Sequence, residues 1–232
     1  DFNSAGCSVI VTGRKFKELI NAFSVSEPEA VEESVKFLHL NGEEKAVASL
    51  GSESFIVYHL NSAGNIDNVI TGNKCASGTG EFFLQQIGRM NLNLSDTAEL
   101  KNDDIPYSVS GRCSVFCKSD CTHALNKGIP KNQVVSGLAK MIAVKTIELI
   151  SKQNSDKILL IGGVTKNKSV IKFIEKKFPD LTILPESPCF EALGASLIGL
   201  KNFHSIDTKN LFRYHNHSFS VLKSLKNDEN KV

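Results

Sequence analysis

Residues 157–167 read KILLIGGVTKN, an apolar strand that stops at two adjacent glycines and opens into a helix. The stretch downstream repeats the alternation: helix over 167–178, strand over 181–184, helix over 190–200. Strands alternating with helices of roughly 12 to 20 residues predict an α/β or α+β architecture with helices packed on sheets.

The same alternation extends upstream. Residues 131–152 read as a long helix with Pro130 at its first turn, and 114–126 as a helix ending at Lys127-Gly128. Phe82, Phe83, Gln86, Ile87 and Met90 recur at helical period from Thr79 onward. Residues 46–51 (AVASLG) and 55–60 (FIVYHL) predict two strands joined by a tight turn at 51–54, with a second turn at 62–65. A helix is expected over 29–40, and 7–13 (CSVIVTG) reads as a buried strand running into a loop. Beyond Phe203 the composition turns polar, and 224–231 holds too little apolar surface to order alone, which predicts a linker toward a further domain.

With 232 residues, 41% of them hydrophobic, the chain can bury a substantial core as one large domain or two small lobes. A net charge of +2 without an aromatic-interleaved basic stripe argues against nucleic acid as a partner. No apolar run approaches the roughly 18 residues of a spanning helix, so no membrane association is expected. The start, Asp1-Phe2-Asn3-Ser4, lacks both a secretory pattern and an initiator Met, as expected of a piece of a longer chain. Six cysteines without a secretory signal fit metal ligation or burial better than a disulfide framework, and a reducing cytoplasm is the expected compartment.

Three places carry candidate chemistry. Residues 72–80 (GNKCASGTG) precede a helix, where free N–H groups favour an anion or an anionic metal cluster and a thiolate at Cys75 could bind iron or zinc. A Gly-rich turn around a small buried Cys explains the same residues. Cys113, Cys117 and Cys121 follow at four-residue steps along one helix face, with His123 nearby; metal ligation and plain packing both fit that stripe. Gly162-Gly163 would let a flat ligand lie against backbone, and Gly51-Ser52-Glu53 suits a phosphate with a carboxylate for water or magnesium. Either turn alone also serves packing.

Taken in order, 73–83 (NKCASGTGEFF), 111–131 (GRCSVFCKSDCTHALNKGIPK), 160–167 (LIGGVTKN) and 185–196 (PESPCFEALGAS) resemble the BadF/BadG/BcrA/BcrD-type ATPases. That family includes the activators of 2-hydroxyacyl-CoA dehydratases and the ATPase components of benzoyl-CoA reductase. The resemblance runs from about residue 9 to 200 and is closest to the first module of very long members. It implies the two-lobed actin, sugar-kinase and heat-shock-ATPase fold, with ATP and Mg2+ in the cleft.

It further implies that Cys75 and Cys113 each ligate a 4Fe-4S cluster shared with an identical subunit, since that cluster takes four thiolates. Cys117 and Cys121 fall outside the implied ligand set. Gly51, Ser52 and Glu53 take the place of a phosphate hairpin, and Gly162, Gly163 and Asn167 that of the adenosine contacts. Residues 48–51 (ASLG) lack the Asp of the usual Asp-x-Gly-Gly pattern, leaving Glu53 as the local carboxylate and expected catalytic group. Nothing matches the family's opening Asp-x-Gly-Ser/Thr loop, so N-terminal hairpins are expected to be missing and ATP binding by this piece weakened or lost. Residues 1–72 would be the remnant of lobe I, 73–204 lobe II, and 205–232 the linker, with the last helix, about 190–201, placed in lobe II or back on lobe I.

The activity so implied is nucleotide-driven transfer of a low-potential electron, in an anaerobe, from ferredoxin or flavodoxin to an iron–sulfur dehydratase or reductase. Two other readings compete: a small-molecule kinase on the same fold, and a non-catalytic module of a larger protein. A kinase would need a carboxylate in its substrate pocket and would not need Cys75.

Overall fold

The computed structural model describes residues 8–40, 46–72, 79–98, 105–152, 157–201, 206–207 and 210–213. In chain order the elements are β1 (Ile10–Val11), α1 (Arg14–Leu19), β2 (Phe23–Ser24), α2 (Glu27–Phe37), β3 (Ala46–Leu50), β4 (Phe55–Leu60), β5 (Ile66–Thr71), α3 (Gly80–Arg89), α4 (Leu94–Ala98), α5 (Ser114–Asn126), α6 (Lys131–Ser151), β6 (Ile158–Ile161), α7 (Lys168–Glu175), β7 (Leu181–Thr182) and α8 (Phe190–Leu200). Short 3-10 turns at Gly163–Lys166 and Ser187–Cys189 precede α7 and α8.

The centre is a five-stranded mixed sheet in the order β5-β4-β3-β6-β7. β3, β4 and β5 form an antiparallel meander, while β3 pairs with β6, and β6 with β7, in parallel. Alternation along the strands sorts the side chains into two layers. Ala46, Ala48, Leu50, Val57, Ile158 and Leu160 face α3, α5, α6 and α7, forming the larger core with Phe83, Ile87, Leu138 and Ile142. Val47, Ile56, Tyr58, Leu159 and Ile161 point the other way, against Val31 and Val35 of α2 and Phe190 of α8. Each such buried aliphatic side chain is worth roughly 1.5–3 kcal/mol relative to exposure, so both helix layers are held mainly by this packing. The central strands β3 and β6 are buried along their whole length because helices cover both faces, which explains the unbroken apolar run of β6 and the run in β3 that only Ser49 interrupts.

Local chemistry sets where helices begin. Ser26 and Glu29 form a reciprocal capping box on α2: Ser26 Oγ accepts from the Glu29 N–H, and the Ser26 N–H donates to Glu29 Oε2 at 3.1 Å. Thr79 caps α3 and Asn167 caps α7 through side-chain oxygens. These caps move the expected starts of α2 and α7 by a residue or two. The strands and helices anticipated at 46–60, 79–90, 114–126, 131–152 and 157–200 are present with small shifts. β5, α1, β2 and α4 carry no strong periodic signal. β5 is a largely exposed edge strand with polar Asp67 and Asn68.

β3–β5, before residue 72, and β6–β7, after it, share one sheet, because β3 hydrogen-bonds β6 from Ala46↔Ile158 to Ser49↔Ile161. The two-stranded parallel pair β1–β2 stands apart from this sheet and meets α8. α8 packs on α2, where Ser34 Oγ donates to the Phe190 carbonyl at 2.7 Å. Among the described residues no helix is long and apolar enough to cross a membrane.

Candidate nucleotide pocket and thiol site

Parallel β3 and β6 end on the same edge of the sheet, so the turns following them sit side by side. Gly51 closes the β3–β4 hairpin, its N–H donating to the Ser54 carbonyl at 3.0 Å. Next to it Gly162 adopts φ +93°, and a Cβ there would lie 2.5 Å from the Leu50 carbonyl oxygen. Only glycine lets the two turns approach this closely. The Gly162 N–H donates to the Ser187 carbonyl at 2.8 Å, tying the turn to the start of α8.

The hairpin is braced from a third direction. α3 begins against it: the Gly80 N–H donates to the Gly51 carbonyl at 3.2 Å and the Glu81 N–H to the Ser52 carbonyl at 3.0 Å. Gly80 occupies a wedge in which a Cβ would meet Val164 Cγ2 at 2.8 Å. The β3–β4 hairpin, the Gly-Gly turn and the N-terminus of α3 are thus one packed junction.

A pocket of about 380 Å³ opens over this junction, between the two turns and the segment Thr12–Phe16. Gly51, Ser52, Glu53, Gly162 and Gly163 all line it. Its position at the carboxyl ends of parallel strands is where open α/β sheets place ligands. Asn167 is not among the lining residues. It is buried, and its Oδ1 accepts from the Val170 N–H at 3.2 Å as the cap of α7.

The carboxylates depart from expectation. Glu53 is half exposed and pairs with the exposed Lys15 at 3.2 Å, an ion pair worth under about 1 kcal/mol in water. It is not the sole carboxylate beside the hairpin, because Glu27 from α2 and Glu191 from α8 reach the same pocket. Glu191 Oε1 accepts from Ser49 Oγ at 2.7 Å. Burial raises the Glu191 pKa above the usual carboxylate value; the Ser49 hydrogen bond opposes this and the charge of Glu27 reinforces it. Behind them Tyr58 is fully buried, and desolvation, then Glu191 and Glu27, push its hydroxyl further toward the neutral form. Thr12 Oγ1 and Tyr58 OH are buried without a hydrogen-bond partner among the described residues.

Sequence reasoning missed Glu27, Ser49 and Glu191, although signals existed. Glu27 follows a Ser N-cap, and Glu191 sits inside the 185–196 motif at the first turn of α8. Ser49 occupies the ASLG stretch where an acidic residue was missing, and it recruits one from α8.

Of the two expected cluster ligands, Cys75 lies outside the described residues. Cys113 is the N-cap residue of α5, partly exposed, with a free thiol that makes no capping hydrogen bond. Val115 and Phe116, just after it, are 69% and 65% exposed. Cys117 and Cys121 lie instead in the larger core. A hydrogen bond with Cys121, and then burial, push the Cys117 thiol up, as befits a thiol packed in the core. Among the described residues no group of three or more metal-ligating side chains comes together.

Residues 19–199 match the model of the BadF/BadG/BcrA/BcrD ATPase family. The chain belongs to that family. The activator of lactoyl-CoA dehydratase from Anaerotignum propionicum is 27% identical to this family member over 158 residues, 66% of this chain and 60% of the relative. The solved activator of the 2-hydroxyisocaproyl-CoA dehydratase from Clostridium difficile, with bound ADPNP, shares the fold at TM-score 0.74 and 22% identity, covering 84% of this chain and 73% of its own. Component A of the (R)-2-hydroxyglutaryl-CoA dehydratase from Acidaminococcus fermentans aligns at TM-score 0.71 and 26% identity, covering 84% and 76%. The mixed α/β architecture is therefore that of actin-like ATPase activators. The chain spans about 60% of the length of the curated relatives it matches.

Proposed function

We propose that this chain carries the nucleotide site and half of the cluster site of an ATP-dependent activase. In this reading ATP with Mg2+ binds over the Gly51–Ser54 hairpin. Cys75 and Cys113 hold half of a 4Fe-4S cluster shared with an identical subunit. Ferredoxin or flavodoxin is the electron donor, and the acceptor is an iron–sulfur 2-hydroxyacyl-CoA dehydratase or a benzoyl-CoA-reductase-like enzyme. When bound, the cluster supplies one-electron transfer at low potential.

One observation carries the reading: α3, which directly follows the segment holding Cys75, takes its first two backbone hydrogen bonds from the carbonyls of Gly51 and Ser52. A nucleotide that shifts the hairpin must shift the start of α3 or break those bonds. That is the differential contact by which binding at one site biases another.

The chain's own residues fit the bound groups. Arg14 and Lys15 bring positive charge to a pocket whose floor is backbone, as a polyphosphate requires, while Glu53 stands at the hairpin where a carboxylate can hold magnesium's water shell. The orphaned hydroxyl of Thr12 lacks a partner that a ligand oxygen would supply. Cys113, a partly exposed thiol at the positive end of a thirteen-residue helix, suits an anionic cluster. The exposed Val115 and Phe116 beside it suit burial against a second copy of the chain.

The test is anaerobic reconstitution with iron and sulfide, followed by metal analysis and a measured subunit count. About two irons per chain in a dimer, lost in both Cys75→Ser and Cys113→Ser, is the expected result. Tightly held zinc, or an iron-free monomer, overturns it.

A further inference from the structure

We infer that Glu191, and not Glu53, is the carboxylate that takes the proton from the attacking water when nucleotide is hydrolysed in this pocket. This inference rests on the nucleotide reading above and deepens it.

The geometry distinguishes the two acids. Glu53 stands at the rim, half exposed, already engaged by Lys15. A carboxylate in that setting suits holding a cation or its waters. Glu191 sits deeper, at the start of α8, with Oε1 fixed by the Ser49 hydroxyl. Its second oxygen makes no hydrogen bond among the described residues, which leaves one lone-pair face for a water. Ser49 belongs to β3, one of the two central strands whose turns form the pocket floor, so the carboxylate is braced by the same backbone that would hold the phosphates. The groups around it are Glu27 from α2, Tyr58 from β4, Glu53 on the hairpin, and Arg14 and Lys15 across the pocket. Burial and the neighbouring Glu27 both strengthen its hold on a proton, the direction a general base requires.

An independent observation points to a ligand in this pocket. Thr12, which also lines it, has a buried Oγ1 with no hydrogen-bond partner among the described residues. A buried hydroxyl without a partner costs about 1–3 kcal/mol unless something polar fills the gap.

The step balances as follows. The water oxygen bonds to the γ-phosphorus as the bond from that phosphorus to the β,γ-bridging oxygen breaks. ADP leaves with that electron pair, and the water's proton passes to Glu191 and then to solvent.

The experiment compares the unaltered chain with Glu191→Gln and Glu53→Gln, measuring affinity for a fluorescent ADP analogue, phosphate release at saturating Mg-ATP, and the pH profile of turnover. Glutamine keeps the acceptor for Ser49, so the fold should hold, and circular dichroism with a denaturation midpoint checks it. Expected for Glu191→Gln is nucleotide affinity within about threefold of the unaltered chain, turnover down by about 100-fold or more, and loss of the acidic limb of the pH profile. Glu53→Gln should raise the KM for Mg-ATP more than it lowers kcat. Turnover within threefold of the unaltered chain in Glu191→Gln, or affinity falling together with turnover, overturns the inference while leaving the nucleotide reading intact. Nucleotide binding without turnover by the unaltered chain also overturns it. If the unaltered chain binds no nucleotide, the nucleotide reading fails and the inference fails with it.

Discussion

The backbone N–H of Gly80, first residue of α3, donates to the carbonyl of Gly51, which opens the turn of the β3–β4 hairpin, at 3.2 Å. Twenty-nine positions of chain separate the two, yet the hairpin and the helix share one junction, and Val164 closes it from the side of the Gly-Gly turn.

Gly80→Ala should damage that junction. A helical alanine normally gains up to about 1 kcal/mol over glycine. Here its Cβ would fall 2.8 Å from Val164 Cγ2 and 3.2 Å from the Gly51 carbonyl, so overpacking of about 1–3 kcal/mol should outweigh the gain. A urea midpoint lowered without a change in slope is the expected outcome; a raised midpoint would show that the junction relaxes freely.

The cysteines should separate by role. Cys117→Ala leaves a gap in the larger core and should lower stability by about 1–2 kcal/mol while leaving reconstituted iron in place. Cys113→Ser, at a partly exposed N-cap, should change stability by less than about 0.5 kcal/mol, with iron binding as the property that falls. Parallel denaturation and iron assays on the two variants check both halves.

Glu191 makes stability depend on pH in a defined direction. Its folded-state pKa is raised above the ordinary 4.5, so between the two values the native state binds more protons than the unfolded state. Stability contributed by this group is therefore largest below 4.5 and falls as pH rises through the folded value. Glu191→Gln removes that dependence. The variant should gain stability relative to the parent as pH is raised from about 4 to 7, measured by denaturant midpoints across that range. A stability difference that stays flat with pH would contradict the assignment.

Ser26→Ala should cost about 1 kcal/mol by opening the capping box at the start of α2, which presents Glu27 to the pocket. The denaturation midpoint should drop, and Ser26→Asp should recover most of the loss.

Much of the fold was legible because its signals are short-range. The continuous apolar run of β6, the Gly162-Gly163 break, and the helical spacing of Phe82, Phe83 and Ile87 each report the environment of a few adjacent residues. β5 was not legible, since an exposed edge strand keeps polar residues that match no clean alternation. Of the candidate site, Gly51, Ser52, Glu53, Gly162 and Gly163 do converge on one pocket. Asn167, expected at the adenosine contacts by resemblance, caps α7, its Oδ1 accepting from the Val170 N–H, a bond that depends on where the helix starts.

The sequence by itself determined the alternating α/β pattern, the glycine turns and the family. These depend on local backbone preference and on motifs that survive being read one segment at a time. Only the tertiary structure decided that β3–β5 belong with β6 and β7, and that Ser49 meets Glu191 across 142 positions of chain. Pairings at that separation are selected by burial of whole faces of the sheet, which closes long loops, and no stretch of neighbouring residues encodes them.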